Sequence, residues 1–412
     1  MQPAHERARG VVVTGMGAVG WFGVGLEALD AALARGAPAL SEVDQSGGMH
    51  EPGAARMAGL IDPDALKPHL PPGAARRMSL PSQMAVVAAL GAVEQAGLAD
   101  AAYEGVGVCL GSAFGPSSFM ARILAQIHGP GPRSVSPFLF MESVANVMAG
   151  QVALALNASG PNATITQRET SALLALARGK ALIQSGRCER VVVGSVDEIS
   201  PIIHAALDRF GALARPDAGG TECARVFDAE RSGYVACDGG TVLVLEEEAA
   251  ARARGARPIA RVGAVVRAND PTAPAANWGS GADALGDLLA RRLAEQGVDL
   301  ADVDRLVSGA SGSTRGDQLD GRVFQRLFGE RPLPELFAPK AYTGEVGGGF
   351  LAATLRSFTT TIPGPTPGFR RADGALALTP SQAPELAPPA RALVSSLAPG
   401  GSSAWVVLEN LA

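Results

Sequence analysis

Histidine is scarce in this chain. There are five in 412 residues, His5, His50, His69, His128 and His204, and none in the second half. A mechanism that draws an imidazole base or donor from the C-terminal half is therefore excluded, and a histidine-rich metal centre is disfavoured. The four cysteines (Cys109, Cys188, Cys223, Cys237) show no CxxC spacing, so they read as reduced cytosolic thiols rather than a disulfide framework. The sequons at Asn157 and Asn162 then read as accidental. No apolar run reaches the roughly 18 residues of a membrane span, and the polar start MQPAHERARG does not read as a secretory leader. A net charge of -5 leaves no footprint for nucleic acid. The expectation is a cytoplasmic chain with no nucleic-acid or membrane partner, no metal and no tightly bound organic cofactor.

What is present is a large apolar fraction, 47 %, and 51 glycines, as in a layered α/β fold with many tight turns. VVVTGM (11–16), GVGVCLGS (105–112), NATITQ (162–167), RVVVGSVDE (190–198) and TVLVLEEE (241–248) read as strands. The segments 26–36, 82–98 and 169–186 between them have helical period. A second set follows a join near 250–258, with strands at 259–270, 304–311 and 402–411 and helices at 284–297 and 317–329. This alternation predicts a mainly parallel sheet with helices on its faces, in two related halves. The segments 47–55 and 380–390 read as loops.

Most motif signals fail their context tests. Gly15-Met-Gly17-Ala-Val-Gly20 matches GxGxxG after a strand, but Trp21 to Gly25 intervene before any helix, which a dinucleotide turn does not allow. There is no GxxxxGK[ST], HExxH or GxSxG. Cys109 sits in an apolar strand with no base beside it and reads as an inert thiol. The informative segment is 160–198, a strand, a sharp turn, a helix and a strand. Glu169 lies at the turn, where a helix N-terminus would favour an anion or activate a thiol. On its residues alone it reads as a first-turn acid.

Here the chain resembles the β-ketoacyl synthases of the thiolase superfamily, along nearly its whole length. VVVTGMGAVG is similar to the family's opening strand. GPNATITQRETSALLALARGKALIQSG is similar to its nucleophile segment, and 225–256 to its RPFD…RDGFV.GEGAG.LVLE block. SGSTRGDQLD (311–320), APKAYTGEVGGG (338–349), IPGPTP (362–367) and SSLAPGGSSAWVVLE (395–409) resemble the segments that follow, in family order. The resemblance implies a thiolase-like fold, residues 1–255 and 256–412 being the two halves of a layered α-β-α-β-α sandwich.

It also locates what is missing. The family's nucleophilic cysteine falls on Glu169, its first histidine on Gly309 (Ala310 with one gap) and its second on Glu345. The second phenylalanine of its gate falls on Pro399, while Lys340 and Asp320 keep their chemical type. Condensation needs a thiolate to carry the acyl chain and imidazole donors for the enolate oxygen. The resemblance therefore implies the silent subgroup: the chain length factor, or KSβ, of type II polyketide synthases. Such a subunit pairs with an active ketosynthase, meets an acyl carrier protein bearing phosphopantetheine, and shapes the polyketide tunnel by steric exclusion. Ser117, Met120 and Leu124, spaced on one helical face, are the implied inward tunnel positions, with Pro399 at the gate. Three alternatives are a decarboxylase that primes chains from malonyl carrier protein, a stand-alone acyl enzyme with Glu169 as base, and a homodimeric scaffold. Glu169 and Glu345 are expected close together, with Lys340 or Arg168 pairing one of them or one holding a proton. On this resemblance Glu169 is expected to serve structure rather than chemistry.

Overall fold

A run of valines opens the described chain. β-Branched side chains favour extended backbone, and strand β1 (Val11–Gly20) is buried along all ten residues, as a strand covered on both faces must be. The computed structural model describes residues 9–98, 103–346, 349–376 and 378–411. His5, and Gly347 and Gly348 of the 338–349 block, lie outside them.

The other strands of the main sheet are β2 (Gly107–Gly111), β3 (Asn162–Ile165), β4 (Arg190–Asp197), β5 (Gly239–Glu247), β6 (Ala260–Asn269), β7 (Arg305–Val307), β8 (Glu335–Phe337), β9 (Arg391–Leu397) and β10 (Ser402–Glu409). Across the sheet they run β8-β7-β9-β10-β6-β1-β5-β4-β2-β3, with the two-residue strand Gly23–Val24 added to β1. The order β1-β5-β4-β2-β3 recurs as β6-β10-β9-β7-β8. The directions recur as well: two antiparallel pairings, then two parallel ones. The two sets meet where Val12 and Val13 of β1 pair with Arg261 and Ala260 of β6.

The expectation of a mainly parallel sheet is thus corrected to a mixed one. Hydrophobic period reports which face is buried, not strand direction. In the second set the reversal is a hairpin, β9 to β10, turned at Pro399-Gly400-Gly401 with both glycines at positive φ, a conformation that costs glycine little. The loop reading of 380–390 is also modified, because Glu385–Leu386 pairs with Ile362–Pro363.

The helices are α1 (Leu26–Arg35), α2 (Leu80–Gln95), α3 (Ser117–His128), α4 (Val147–Leu156), α5 (Ser171–Gln184), α6 (Pro201–Arg209), α7 (Ala282–Glu295), α8 (Thr314–Phe328) and α9 (Phe350–Thr359). Successive strand side chains face opposite ways. Val191, Val193, Leu243 and Leu245 enter one core with α5 and α9, while Val192, Val242 and Val244 enter another with α2 and α4. Helix α5 packs on β2 and β4 and also reaches β6 and β10, while α7 covers β6 and α8 packs on α7 and β9. This is the expected α-β-α-β-α sandwich, with α5 in its middle layer.

The GxGxxG glycines lie inside β1. A Cβ on Gly15 would stand 2.1 Å from the carbonyl oxygen of Ala92, and one on Gly17 1.9 Å from that of Ala88. These glycines let α2 approach the strand, so the packing role replaces the phosphate role.

Candidate functional site

The turn from β3 into α5 is held by the second half of the chain. Arg168 occupies the left-handed region at φ 51, a conformation that costs a non-glycine residue and persists only where its surroundings impose it. Those surroundings are specific. The Gln167 backbone N–H donates to Ser171 Oγ (2.8 Å), Ser396 Oγ donates to the Glu169 carbonyl (2.8 Å), and the Thr170 and Ser402 hydroxyls lie 2.8 Å apart. Gly111, at the exit of β2, admits the start of α5, since a Cβ there would lie 2.8 Å from Ser171. The helical pattern from 169 therefore opens as a 3-10 turn, Arg168–Thr170, before α5 proper.

The Oε2 of the Glu169 carboxyl is buried without a partner, while the carboxyl takes a hydrogen bond from its own backbone N–H. Burial, reinforced by the nearby Glu345 charge, pushes its pKa from near 4.5 up to about 7. The first-turn reading predicts the opposite direction, because a helix dipole favours the anion; here desolvation outweighs it.

Glu345 is buried and accepts a hydrogen bond from Lys340 Nζ at 2.6 Å, an ion pair in which the lysine is 1 % exposed. Its Oε1 has no partner. Lys340 also lies over the Phe350 ring at 5.1 Å. Backbone bonds fix Glu345 from both sides: its N–H donates to Val235 (2.9 Å) and its carbonyl accepts from Cys237 (2.8 Å). The first of the alternatives expected from the sequence is met: Lys340 pairs with Glu345, while Glu169, raised to about 7, is close to half protonated at pH 7. Asp320 accepts from the Ser308 and Ser395 hydroxyls, and burial raises it to about 6. Asp317 accepts from the Phe227 N–H at 2.8 Å and is raised by burial to about 7.

Glu169, Gly309, Ala310, Asp317 and Asp320 line one narrow cleft of about 10 Å3, together with Trp278. That is room for roughly one water. A Cβ on Gly309 would stand 2.7 Å from the Ser395 carbonyl oxygen, and one on Gly316 2.6 Å from the Trp278 indole. Small residues and an indole thus fill the place where the resemblance puts the first histidine. In front of Glu169 opens a cavity of about 670 Å3, lined among others by Phe114, Arg168, Tyr234, Trp278, Arg315 and Pro399. Among the described residues no cysteine and no histidine lines it. Sequence reasoning missed Trp278 and Phe114, which lie outside the matched segments and carry no spacing signal. Arg315 and Tyr234 stand inside matched segments, 311–320 and 225–256, but were not singled out there.

The implied tunnel positions do not form one inward face. Ser117 is buried, its Oγ 2.7 Å from that of Ser200 and bonded to Glu198 (3.3 Å). Met120 and Leu124 point outward and are each 40 % exposed. Ile127, Phe138, Phe140 (61 %), Met141 (60 %), Val144 and Leu154 (77 %) are exposed as well, and the segment 137–141 packs against α3. An ordinary core stripe is therefore excluded for Met120 and Leu124.

The raised acid has a stability consequence. A carboxyl whose pKa is higher folded than unfolded contributes stability that is full below the unfolded value and is lost as pH rises through the folded one. For Glu169 that window runs from near 4.5 to about 7. Glu169→Gln is expected to raise unfolding free energy by about 3 kcal/mol at pH 8 and by less than about 1 kcal/mol at pH 5, read by urea denaturation at both pH values.

Comparison with known proteins agrees with this geometry. The family model described as β-ketoacyl synthase, N-terminal domain, matches residues 8–251. The chain is 30 % identical over 388 residues to the tetracenomycin polyketide synthase ketoacyl synthase alpha subunit of Streptomyces glaucescens, covering 90 % of this chain and 89 % of that one. It is 29 % identical over 348 residues to 3-oxoacyl-[acyl-carrier-protein] synthase 2 of Staphylococcus aureus strain N315, covering 82 % of each. The ishigamide ketosynthase/chain length factor structure superposes with a TM-score of 0.85 at 26 % identity, over 98 % of this chain and all of that one. The segments that resembled ketosynthase blocks thus fold as they do in solved relatives, and the chain belongs to the β-ketoacyl synthase family.

Proposed function

We propose that this chain is the chain length factor (KSβ) of a type II polyketide synthase, silent in condensation by itself and paired with an active ketosynthase. The observation that carries it is a cavity lined by Glu169 and, among the described residues, by no cysteine or histidine; this supports the sequence-based matching of 169 to the nucleophile position and of Gly309 or Ala310 and Glu345 to the histidine positions. A buried protonated carboxyl is a poor acyl carrier, and Glu345 spends its charge on Lys340. The repeated strand order supports reading 1–255 and 256–412 as the two halves of the unit.

The outward apolar face supports the pairing. Helix α3 and the segment 137–141 packed on it expose several large apolar side chains, and such surface marks an interaction site. Helix α4, which carries the exposed Leu154, packs on β3, the edge strand of the sheet, whose free backbone groups can pair with another chain. Met120 and Leu124 on that face would reach across to the partner's tunnel, and a carrier protein with phosphopantetheine would deliver the extender units. A second reading, a stand-alone acyl enzyme with Glu169 as base, draws on the same raised pKa in a roomy cavity.

Co-expression with a ketosynthase that keeps cysteine and both histidines decides between them. The expected result is a stable one-to-one pair that makes product, with Met120→Ala or Leu124→Ala shifting the product toward longer chains. Turnover of acyl carrier substrates by this chain alone, as a homodimer, would overturn the proposal.

A further inference from the structure

The cavity in front of Glu169 has persisted although nothing lining it can form a thioester. Its volume, about 670 Å3, lies within the range of about 300–1,000 Å3 usual for small-molecule sites. Its walls are apolar where Phe114, Leu207, Phe210, Tyr234, Trp278 and Pro399 line it. Arg168 and Arg315 are exposed lining residues, and neither makes an ion pair among those described. Glu169, half-buried, lines the same space. Its Oε2 is sealed from solvent without a partner, so a ligand in the cavity meets the other, outward part of the carboxyl.

We infer that this cavity is a non-covalent binding site for an amphipathic keto acid, whose anion meets the Arg168 and Arg315 guanidiniums and whose inner carbonyl oxygen accepts a hydrogen bond from the Glu169 carboxyl. The inference deepens the silent-subunit reading, since a site that has given up the thioester holds its ligand by hydrogen bonds, ion pairing and apolar contact. It requires Glu169 to carry a proton, because the ionised form has no donor. The groups that face it are Glu345, which favours the proton, Lys340 and Arg168, which oppose it, and Tyr234, with Asp317 and Asp320 across the narrow cleft. Lys340 is committed to Glu345. Guanidiniums suit carboxylate heads through paired N–H donors.

The test is calorimetric titration of the full chain, alone and in the ketosynthase pair, with oxohexanoate, oxooctanoate and 9-oxodecanoate against the plain alkanoates of equal length. At pH 6 at least one keto acid is expected to bind about three- to tenfold more tightly than its plain counterpart, the range one neutral hydrogen bond supplies. That advantage is expected to vanish at pH 8.5 and in Glu169→Ala, and to survive at both pH values in Glu169→Gln, whose amide still donates. The methyl ester of the same keto acid should bind more weakly than the acid, and Arg315→Ala or Arg168→Asn should erase that difference. Thermal melting of each variant separates lost binding from lost folding. Equal affinity for keto and plain acids, a keto preference that persists in Glu169→Ala, or no saturable binding would overturn the inference. Pairing is scored in the same samples: a pair without keto-acid preference refutes this inference alone, and preference without a pair refutes the proposed function alone.

Discussion

Lys340→Met is expected to lower unfolding free energy by about 3–5 kcal/mol, the range seen when one partner of a buried ion pair is removed. Its ammonium is the sole protein partner of Glu345 Oε2 among the described residues, and the other carboxylate oxygen has none. Truncation would leave a charge with no compensation in a region already holding Glu169, Asp317 and Asp320. The double variant Lys340→Met with Glu345→Gln is expected to recover most of the loss, because an amide is far cheaper to bury than an unpaired carboxylate. Urea denaturation of the wild type, both singles and the double closes the cycle. A single variant within about 1 kcal/mol of wild type would show that the pair is not buried as described.

The second large effect concerns the outward face. Phe140→Asp combined with Leu154→Asp is expected to weaken pairing with the ketosynthase by at least about a hundredfold, while the isolated chain keeps its stability. Burying each side chain contributes about 1.5–3 kcal/mol, and every 1.4 kcal/mol is tenfold in affinity. Both are more than half exposed in the single chain, so their loss costs its own fold little. Sedimentation of mixed partners reads the association, and urea denaturation of the lone variant reads the fold. Undiminished pairing would move the interface elsewhere.

How much of this was legible in the sequence depended on what each signal encodes. The valine runs of β1, β4 and β5 and the alanine-rich α2 and α5 are strongly periodic or uniformly apolar, and they fold as read. Strand β9 and helix α9 are almost wholly buried as well, but the buried Ser395 and Ser396, and Thr354 and Ser357, break up their apolar runs and hide the elements. The contact between Lys340 and Glu345 follows from a turn and a backbone bridge to 235–237, not from any helical spacing. Glu169 shows the limit most clearly. Its position in a first turn suggests a dipole-stabilised anion, whereas its acidity is set by burial and by Glu345, brought near from 176 residues along the chain. Met120 and Leu124 have the spacing of a helix face, but spacing cannot say whether that face meets its own core or another molecule.

The repeated strand order relates the two sides of this site. Glu169 follows β3, the third strand of the first set, and Lys340 follows β8, the third strand of the second. They are therefore counterpart elbows in the repeated strand order, and their side chains lie close enough to interact. One elbow carries an acid raised to about 7, and the other carries an ammonium paired with Glu345. Charge at one elbow constrains what the other tolerates: the lysine lowers the pKa of Glu169 and Glu345 raises it, so the stability effects of substitutions at 169, 340 and 345 are expected to be coupled rather than additive.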